Sequence, residues 1–157
     1  MKNRDGINLK PAIPSIKYFF LYLFLSQISI SCSRQSPRFI NEKQMDTTME
    51  NVKKLNSTML RELSKYGTNS NSALSLNFYF VTNDSMKAQH LADELLKMNY
   101  HTNAIHSSPK DHSLWVLTGN SARVNIDSGS LNEWTSSLCE TGFRYDCQLE
   151  GWNPVSE

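Results

Sequence analysis

The residue whose surroundings most clearly indicate chemistry is Cys32. It follows an uncharged run at residues 18–30 and the small residue Ser31, and the leader before that run has four basic residues and one acidic residue. A membrane-spanning helix needs about 20 apolar residues, whereas a run of this length is typical of the core of an export signal. We therefore expect residues 1–31 to act as an export signal and to be removed.

Bacterial lipoprotein signals resemble this segment. They end in a branched apolar or small residue, a small residue and a cysteine, matched here by Ile30, Ser31 and Cys32, although Ser29 stands where Leu is usual. The resemblance implies that the Cys32 thiol receives diacylglycerol. Each buried methylene contributes about 0.8 kcal/mol, so two or three acyl chains would hold the protein on a membrane, on its periplasmic or cell-surface side. Cleavage without lipidation and an uncleaved interfacial helix are the alternatives.

Two further cysteines, Cys139 and Cys147, remain once Cys32 is set aside as the lipid site. An even number of cysteines in an exported protein is compatible with a disulfide, because such bonds persist outside the cytoplasm. Their Cα atoms would have to lie about 4.4–6.8 Å apart across a helix end. The sequence leaves open both a bridge and two separately buried thiols.

The histidines are the other residues that could take part in chemistry, at His90, His101, His106 and His112. Their spacings match no metal-binding signature, and side chains five apart on a strand face opposite sides of the sheet. The chain also lacks GxSxG, HExxH and a Gly-rich phosphate loop. We predict no catalytic residue, no metal and no cofactor, with Cys147 beside a histidine as the strongest enzymatic alternative.

Removal of residues 1–31 leaves 126 residues with 12 basic and 14 acidic side chains. This length suits one domain, predicted at residues 42–157 after a polar tether at residues 32–41, and the charge provides no basic surface for nucleic acid. A leading amphipathic helix is predicted at residues 41–66, and we expect its apolar stripe to pack on the core. The stripe recurs every three or four positions: Met45, Met49, Val52, Leu55, Met59 and Leu63.

The chain after this helix predicts the order strand, helix, strand, strand, helix, strand over residues 74–153. Asn83 and Asp84 can cap the first of these helices, and Ser130 can form a capping box with Glu133 at the second. This order predicts an α+β, ferredoxin-like βαββαβ fold, in which a four-stranded antiparallel sheet carries two helices on one face. The expected strands lie at residues 74–81, 100–106, 114–118 and 148–152.

Several segments, taken in order, resemble a family of regulators of ribonuclease E activity, B type, called RraB. They are LNFYFVT at residues 76–82, AQHLADELLKMNYHT at 88–102, the strand at 114–117 and LNEW at 131–134. In that family a leading helix precedes a βαββαβ domain that ends in a strand with Tyr-Asp-Gly-Trp. Residues 149–152 match as Leu-Glu-Gly-Trp and so depart at two positions, and the resemblance covers roughly residues 42–155.

The resemblance implies a domain that binds a protein and performs no chemistry, because the named members bind ribonuclease E in the cytoplasm and inhibit it. An exported lipoprotein cannot meet a cytoplasmic nuclease. We therefore predict a lipid-anchored regulatory domain with an unidentified protein partner, in contact with a membrane through its anchor. If the signal is not processed, the alternative is a cytoplasmic regulator of ribonuclease E.

Five residues are candidates for a binding surface: Tyr79, Trp115, Glu150, Gly151 and Trp152. Tyr79 and Trp115 also suit an RNA-binding domain of the same topology, in which aromatic residues on the two central strands stack on bases. The excess of acidic over basic side chains after residue 31 and the missing RNP1 motif argue against binding of nucleic acid. For Gly151 and Trp152 the alternative is structural, with a glycine in a restricted backbone conformation and an indole that seals one end of the sheet.

Overall fold

Three helices and four strands follow one another in the computed structural model, which describes residues 38–155. The predicted signal at residues 1–31, Cys32 and residues 33–37 of the predicted tether lie outside the described residues. In chain order the elements are α1 (Glu42–Lys65), β1 (Ala73–Thr82), α2 (Ser85–Lys97), β2 (His101–Ser107), β3 (Trp115–Asn125), α3 (Ser128–Arg144) and β4 (Gln148–Pro154).

The strands form one antiparallel sheet in the order β2-β3-β1-β4. The central strand β1 forms because its apolar residues alternate, so that Leu76, Phe78 and Phe80 all point into the core and are at most 1% exposed. The helices α2 and α3 pack on this face of the sheet, where Leu91, Leu95, Leu131 and Leu138 are fully buried. The predicted ferredoxin-like α+β fold with an additional leading helix is confirmed.

The leading helix α1 packs against α3 and β4. It begins at the predicted Asn41 cap, where a reciprocal capping box joins Asn41 and Gln44, and the chain leaves it through Gly67 at a φ of 84°. Val52 is buried, and the neighbouring apolar residues of the stripe are partly buried against the same core: Met49, Leu55, Met59 and Leu63. The expectation that this stripe is covered by core packing is therefore confirmed.

Two local predictions differ from the structure. The cap of α3 is Asp127, whose carboxylate accepts a hydrogen bond from the Ser130 backbone N–H at 2.9 Å, so the predicted cap at Ser130 is wrong. β3 continues to Asn125, well past the predicted end at Thr118. The extension contains Gly, Asn, Ser and Ala, which have low strand propensity, and it forms because it pairs along the whole of β1.

Candidate protein-binding surfaces

The open face of the sheet is the face turned away from α2 and α3. Its central side chains are half-buried and uncharged: Asn77, Tyr79, Val81, Val116, Thr118 and Asn120. Tyr79 lies among them, and its hydroxyl donates a hydrogen bond to Oδ1 of Asn153 on β4 at a distance of 2.5 Å. Four of these side chains offer hydrogen-bonding groups and the two valines are apolar, and none carries a formal charge, so the face suits contact with a protein better than with a polyanion.

Trp115 lies on the opposite face of the sheet from Tyr79. It pairs with Thr82 in the register between β1 and β3, and residues directly opposite on antiparallel strands point to the same face. Thr82 is 1% exposed and donates a hydrogen bond to the backbone oxygen of Asp146. Tyr79 and Trp115 therefore do not form the shared base-stacking platform that the RNA-binding alternative requires.

Trp152 is a core residue, with 4% of its surface exposed. Its indole N–H donates a hydrogen bond to Oδ1 of Asn56 on α1 at 2.8 Å, and its ring meets Trp134 edge-on with 6.0 Å between the centroids. It also pairs with Phe78 in the register between β1 and β4. The indole joins the sheet to both α1 and α3 and is not part of an accessible surface. This burial agrees with the structural alternative, in which the indole seals one end of the sheet.

Asn56 is an important residue that the sequence analysis missed. It is 1% exposed, and its amide group donates hydrogen bonds to the backbone oxygen of Leu131, to Oδ1 of Asn132 and to Oγ1 of Thr135. Together with the Trp152 contact, these bonds satisfy the amide in a buried site. The available signal was its position next to Leu55 and Val52 on the stripe, where a polar residue without a partner would be costly.

Glu150 is the exposed member of the predicted surface on β4. Tyr79 pairs with Gly151 and Phe80 with Leu149, so Glu150 is the extra residue of a β-bulge. Beside it a groove of about 230 Å³ lies between β4 and the neighbouring part of α1. The groove is lined by Thr48, Asn51, Val52 and Leu55 of α1 and by Gln148, Leu149 and Glu150 of β4.

The chain that leads into α1 is held in place by Asp146. The carboxylate accepts hydrogen bonds from the backbone N–H groups of Phe39 at 2.8 Å and Ile40 at 2.9 Å, and it pairs with Lys87 at 2.6 Å and Arg38 at 3.7 Å. Ile40 is 3% exposed. Residues 38–41, which the sequence analysis assigned to a tether, are therefore packed on the domain.

Asp146 is suited to this role by its backbone and its charge. It adopts a left-handed conformation with a φ of 59° after α3, a conformation that Asp tolerates better than most residues. Burial alone would raise the pKa of its carboxyl group, but Lys87 and the two backbone N–H groups favour the ionised form and lower the pKa overall. The carboxylate therefore stays charged at neutral pH and holds the docked segment.

The two described cysteines, Cys139 and Cys147, are free and buried. Burial is the largest cause that raises the pKa of Cys139 to about 11 and that of Cys147 to about 12. A thiol must lose its proton to act as a nucleophile, so neither cysteine is activated. The packing of both side chains matches the alternative of two separately buried thiols.

Two features of residues 38–155 concern metals and membranes. No three His, Cys, Asp or Glu side chains within this range come together as a metal-binding group. None of the helices described in this range combines the length and the apolar character required to span a bilayer.

Comparison with protein families identifies the family of this chain. The sequence model of the family described as RraB, regulator of ribonuclease activity B, matches residues 53–153, which include most of α1 and reach into β4. No curated protein matches the chain. The family match includes Asn56, Asp146 and Trp152, the residues that join α1 and the docked segment to the rest of the domain. The chain belongs to the RraB family.

Proposed function

We propose that this protein is a lipid-anchored, non-catalytic regulator that acts by binding another protein. The observation that carries the proposal is the combination, in one chain, of an RraB domain at residues 53–153 with a Cys32 that follows an uncharged run resembling an export signal. The family name supports a regulatory role. The two buried, protonated cysteines favour a role without nucleophilic catalysis.

The proposed organisation is a signal at residues 1–31, an acylated Cys32, a tether and an RraB-like domain. The contacts of Asp146 support a tether that is shorter than the sequence analysis proposed, because Arg38 and Ile40 already belong to the domain. Residues 33–37 then connect lipid and domain. At full extension, five residues and the bonds that flank them would span at most about 20 Å, so the domain would stay close to the membrane surface.

We assign binding of the partner to the accessible parts of the predicted surface. Tyr79 on the open face and Glu150 at the bulge are available for contact, whereas Trp152 is buried and supports the strand that carries Glu150. The uncharged side chains around Tyr79 favour a protein over a nucleic acid.

In this proposal the compartment of the domain determines which proteins it can meet. A domain exported as a lipoprotein would meet proteins of the periplasm or cell surface, and a ribonuclease of the cytoplasm would be out of reach. An unprocessed chain would instead remain where the family's ribonuclease regulation is possible. Processing at Cys32 therefore decides between the two candidate functions.

Fatty-acid labelling tests the anchor. Cells that express the full chain are fed a clickable fatty acid, and the wild type is compared with Cys32→Ala and with the control Ser33→Ala, which leaves the acceptor thiol in place. We expect label and detergent-phase partitioning for the wild type and the Ser33 variant only. Equal partitioning of the Cys32 variant, or no label on the wild type, would contradict lipidation and favour the cytoplasmic alternative.

Site-specific photocrosslinking tests the binding surface. A photoreactive amino acid is placed at Tyr79 or, as a control, at the exposed Asp46 on α1 of the anchored protein. We expect a discrete adduct with the same extracytoplasmic protein from position 79 and none from position 46. Adducts only with cytoplasmic ribonuclease components would reverse the assignment of compartment.

A further inference from the structure

A small cavity lies beneath the docked segment, residues 38–41, and both described cysteines line it. Its volume is about 10 Å³, close to the smallest space that holds one water. α3 contributes Cys139 and Phe143, Cys147 lies just before β4, and Ile40 belongs to the docked segment. Ile40, Cys139 and Cys147 are 3%, 4% and 1% exposed, so solvent does not reach either cysteine while Ile40 is in place.

Ile40 is the one residue of the docked segment that lines this cavity. It precedes the Asn41 cap of α1 and lines the cavity together with Met45. This spacing is that of a hydrophobic staple, in which the residue before the cap packs against the fourth residue of the helix. Ile40 therefore covers the cavity from the side at which the chain enters the domain.

The contacts that hold the docked segment converge on the end of α3. The backbone N–H groups of Phe39 and Ile40 both donate to the carboxylate of Asp146. The Arg38 guanidinium lies over the Phe143 ring, 4.1 Å from its centroid, and donates to the Phe143 backbone oxygen. A single carboxylate thus provides most of the polar attachment, and its loss is enough to release the segment.

The helix that follows is attached separately. Asn56 of α1 bonds to Trp152 and to the first turns of α3 through buried groups. These contacts do not involve Asp146, so α1 stays in place when the segment before it detaches. A local opening of this kind exposes little surface and costs less free energy than unfolding of the whole domain.

We infer that the docked segment is a lid over the two buried thiols. In the closed state it keeps Cys139 and Cys147 from solvent, and in the open state it exposes them to small electrophiles while the rest of the domain stays folded. The lid is a property of the domain and does not depend on the lipid anchor proposed above.

Alkylation of the full chain by iodoacetamide, in a mild detergent under native conditions, tests the inference. The thiolate forms a C–S bond and iodide leaves, while the thiol proton goes to solvent. Arg144 separates the two cysteines, so trypsin places them on different peptides and mass spectrometry follows each one. Cys139 is the reporter, because burial and the neighbouring Asp146 charge both raise the pKa of Cys147, so that a change at Asp146 alters its reactivity directly.

Asp146→Asn weakens the attachment of the lid and keeps a residue type that tolerates the left-handed conformation. The control Gly119→Ala destabilises the domain at the contact between β3 and β2. We expect labelling of Cys139 to be at least about tenfold faster in Asp146→Asn and within about twofold of wild type in Gly119→Ala. Equal acceleration in both variants would overturn the inference, because the thiol would then react only after global unfolding.

A second variant, Ile40→Ala, covers the case in which Asp146→Asn does not fold. It shortens the side chain over the cavity and keeps the backbone bonds to Asp146, and we expect severalfold faster labelling of Cys139. Thermal melts check that each variant is folded. In the wild type, labelling should be nearly independent of low urea concentrations, since the opening exposes little surface. A rate that rises with the urea dependence of global unfolding would contradict the lid.

Discussion

The two edges of the sheet are built differently, although β2 and β4 each have seven residues. β4 is joined to α1 through Trp152 and Asn56, carries a bulge and ends in Pro154. β2 is uncharged and exposed along most of its length. The comparison indicates that the leading helix, which is additional to the ferredoxin-like fold, stabilises the β4 edge, whereas the β2 edge is exposed.

Removal of the Trp152 side chain should disrupt the edge formed by β4 and α1, and we expect it to have the largest effect on stability. Trp152→Ala leaves a large cavity beside Trp134 and an unpaired Asn56 amide oxygen, so we expect the free energy of unfolding to fall by about 3–5 kcal/mol. Urea denaturation measures the change. Trp115→Ala is the control, and a smaller loss is expected because Trp115 is only half-buried. A loss below about 1 kcal/mol at Trp152 would contradict its role as a seal.

A methyl group added at Gly119 should disturb the other edge of the sheet, at β2. The added Cβ would lie 2.4 Å from the backbone oxygen of His101 on β2 and 2.4 Å from Cζ of Phe78, so β2 must shift. We expect Gly119→Ala to cost about 2–3 kcal/mol and to reduce the hydrogen-exchange protection of β2 more than that of β4. Thr118→Ser is the neighbouring control, with an expected change within about 0.5 kcal/mol. Equal loss of protection in both strands would show that the edges are not independent.

Neutralisation of Asp146 should release the docked segment while leaving both edges folded. Asp146→Asn weakens the contacts with Lys87, Phe39 and Ile40, and we expect a loss of about 2 kcal/mol at pH 7. The folded protein lowers the pKa of this carboxyl group, so its stabilisation is complete above the unfolded value of about 3.9. As pH falls through the lower, folded pKa, the group becomes protonated and that stabilisation is lost.

The pH series therefore has a defined direction. Denaturation at several pH values should show the difference between wild type and Asp146→Asn shrinking below about pH 4. A difference that grows as the pH falls would contradict the assigned charge state of Asp146. Limited proteolysis should also cut near residue 40 faster in the variant.

The smallest effect is expected at Tyr79, on the open face between the two edges. Tyr79→Phe removes one hydrogen bond to Asn153 and should cost about 1 kcal/mol or less. If the open face binds the partner, this variant should lower crosslinking from a neighbouring probe at Thr118 while the fold is unchanged. Retained crosslinking at the wild-type yield would remove the Tyr79 hydroxyl from the binding surface.

Local patterns predicted most of the fold. The alternation around Phe78 and Phe80 gave β1, and the spacing of Leu91 and Leu95 gave α2, because each pattern depends only on neighbouring residues. The later part of β3 could not be predicted, since Gly119 and Ser121 lack strand propensity and pair only because β1 lies beside them. The Ser130 cap failed because Asp127 is three residues upstream and competes for the same role.

The candidate sites were harder to predict than the fold. Trp152 and Glu150 are two residues apart in one strand, yet one is buried and the other exposed, and the bulge between β1 and β4 sets this arrangement. The network of Asn56 depends on residues 75 to 96 positions away in sequence. Contacts of this range leave no local pattern, so the sequence suggested a tether where Asp146 fixes the chain.

The most direct measurement for the proposed function is the intact mass of the protein isolated from the membrane fraction of cells that express the full chain. The account predicts a mature protein that lacks residues 1–31, begins at Cys32 and carries the added mass of a diacylglycerol group on that residue. A chain that retains Met1 and has an unmodified Cys32 thiol would contradict it, and would favour an intracellular regulator of ribonuclease activity.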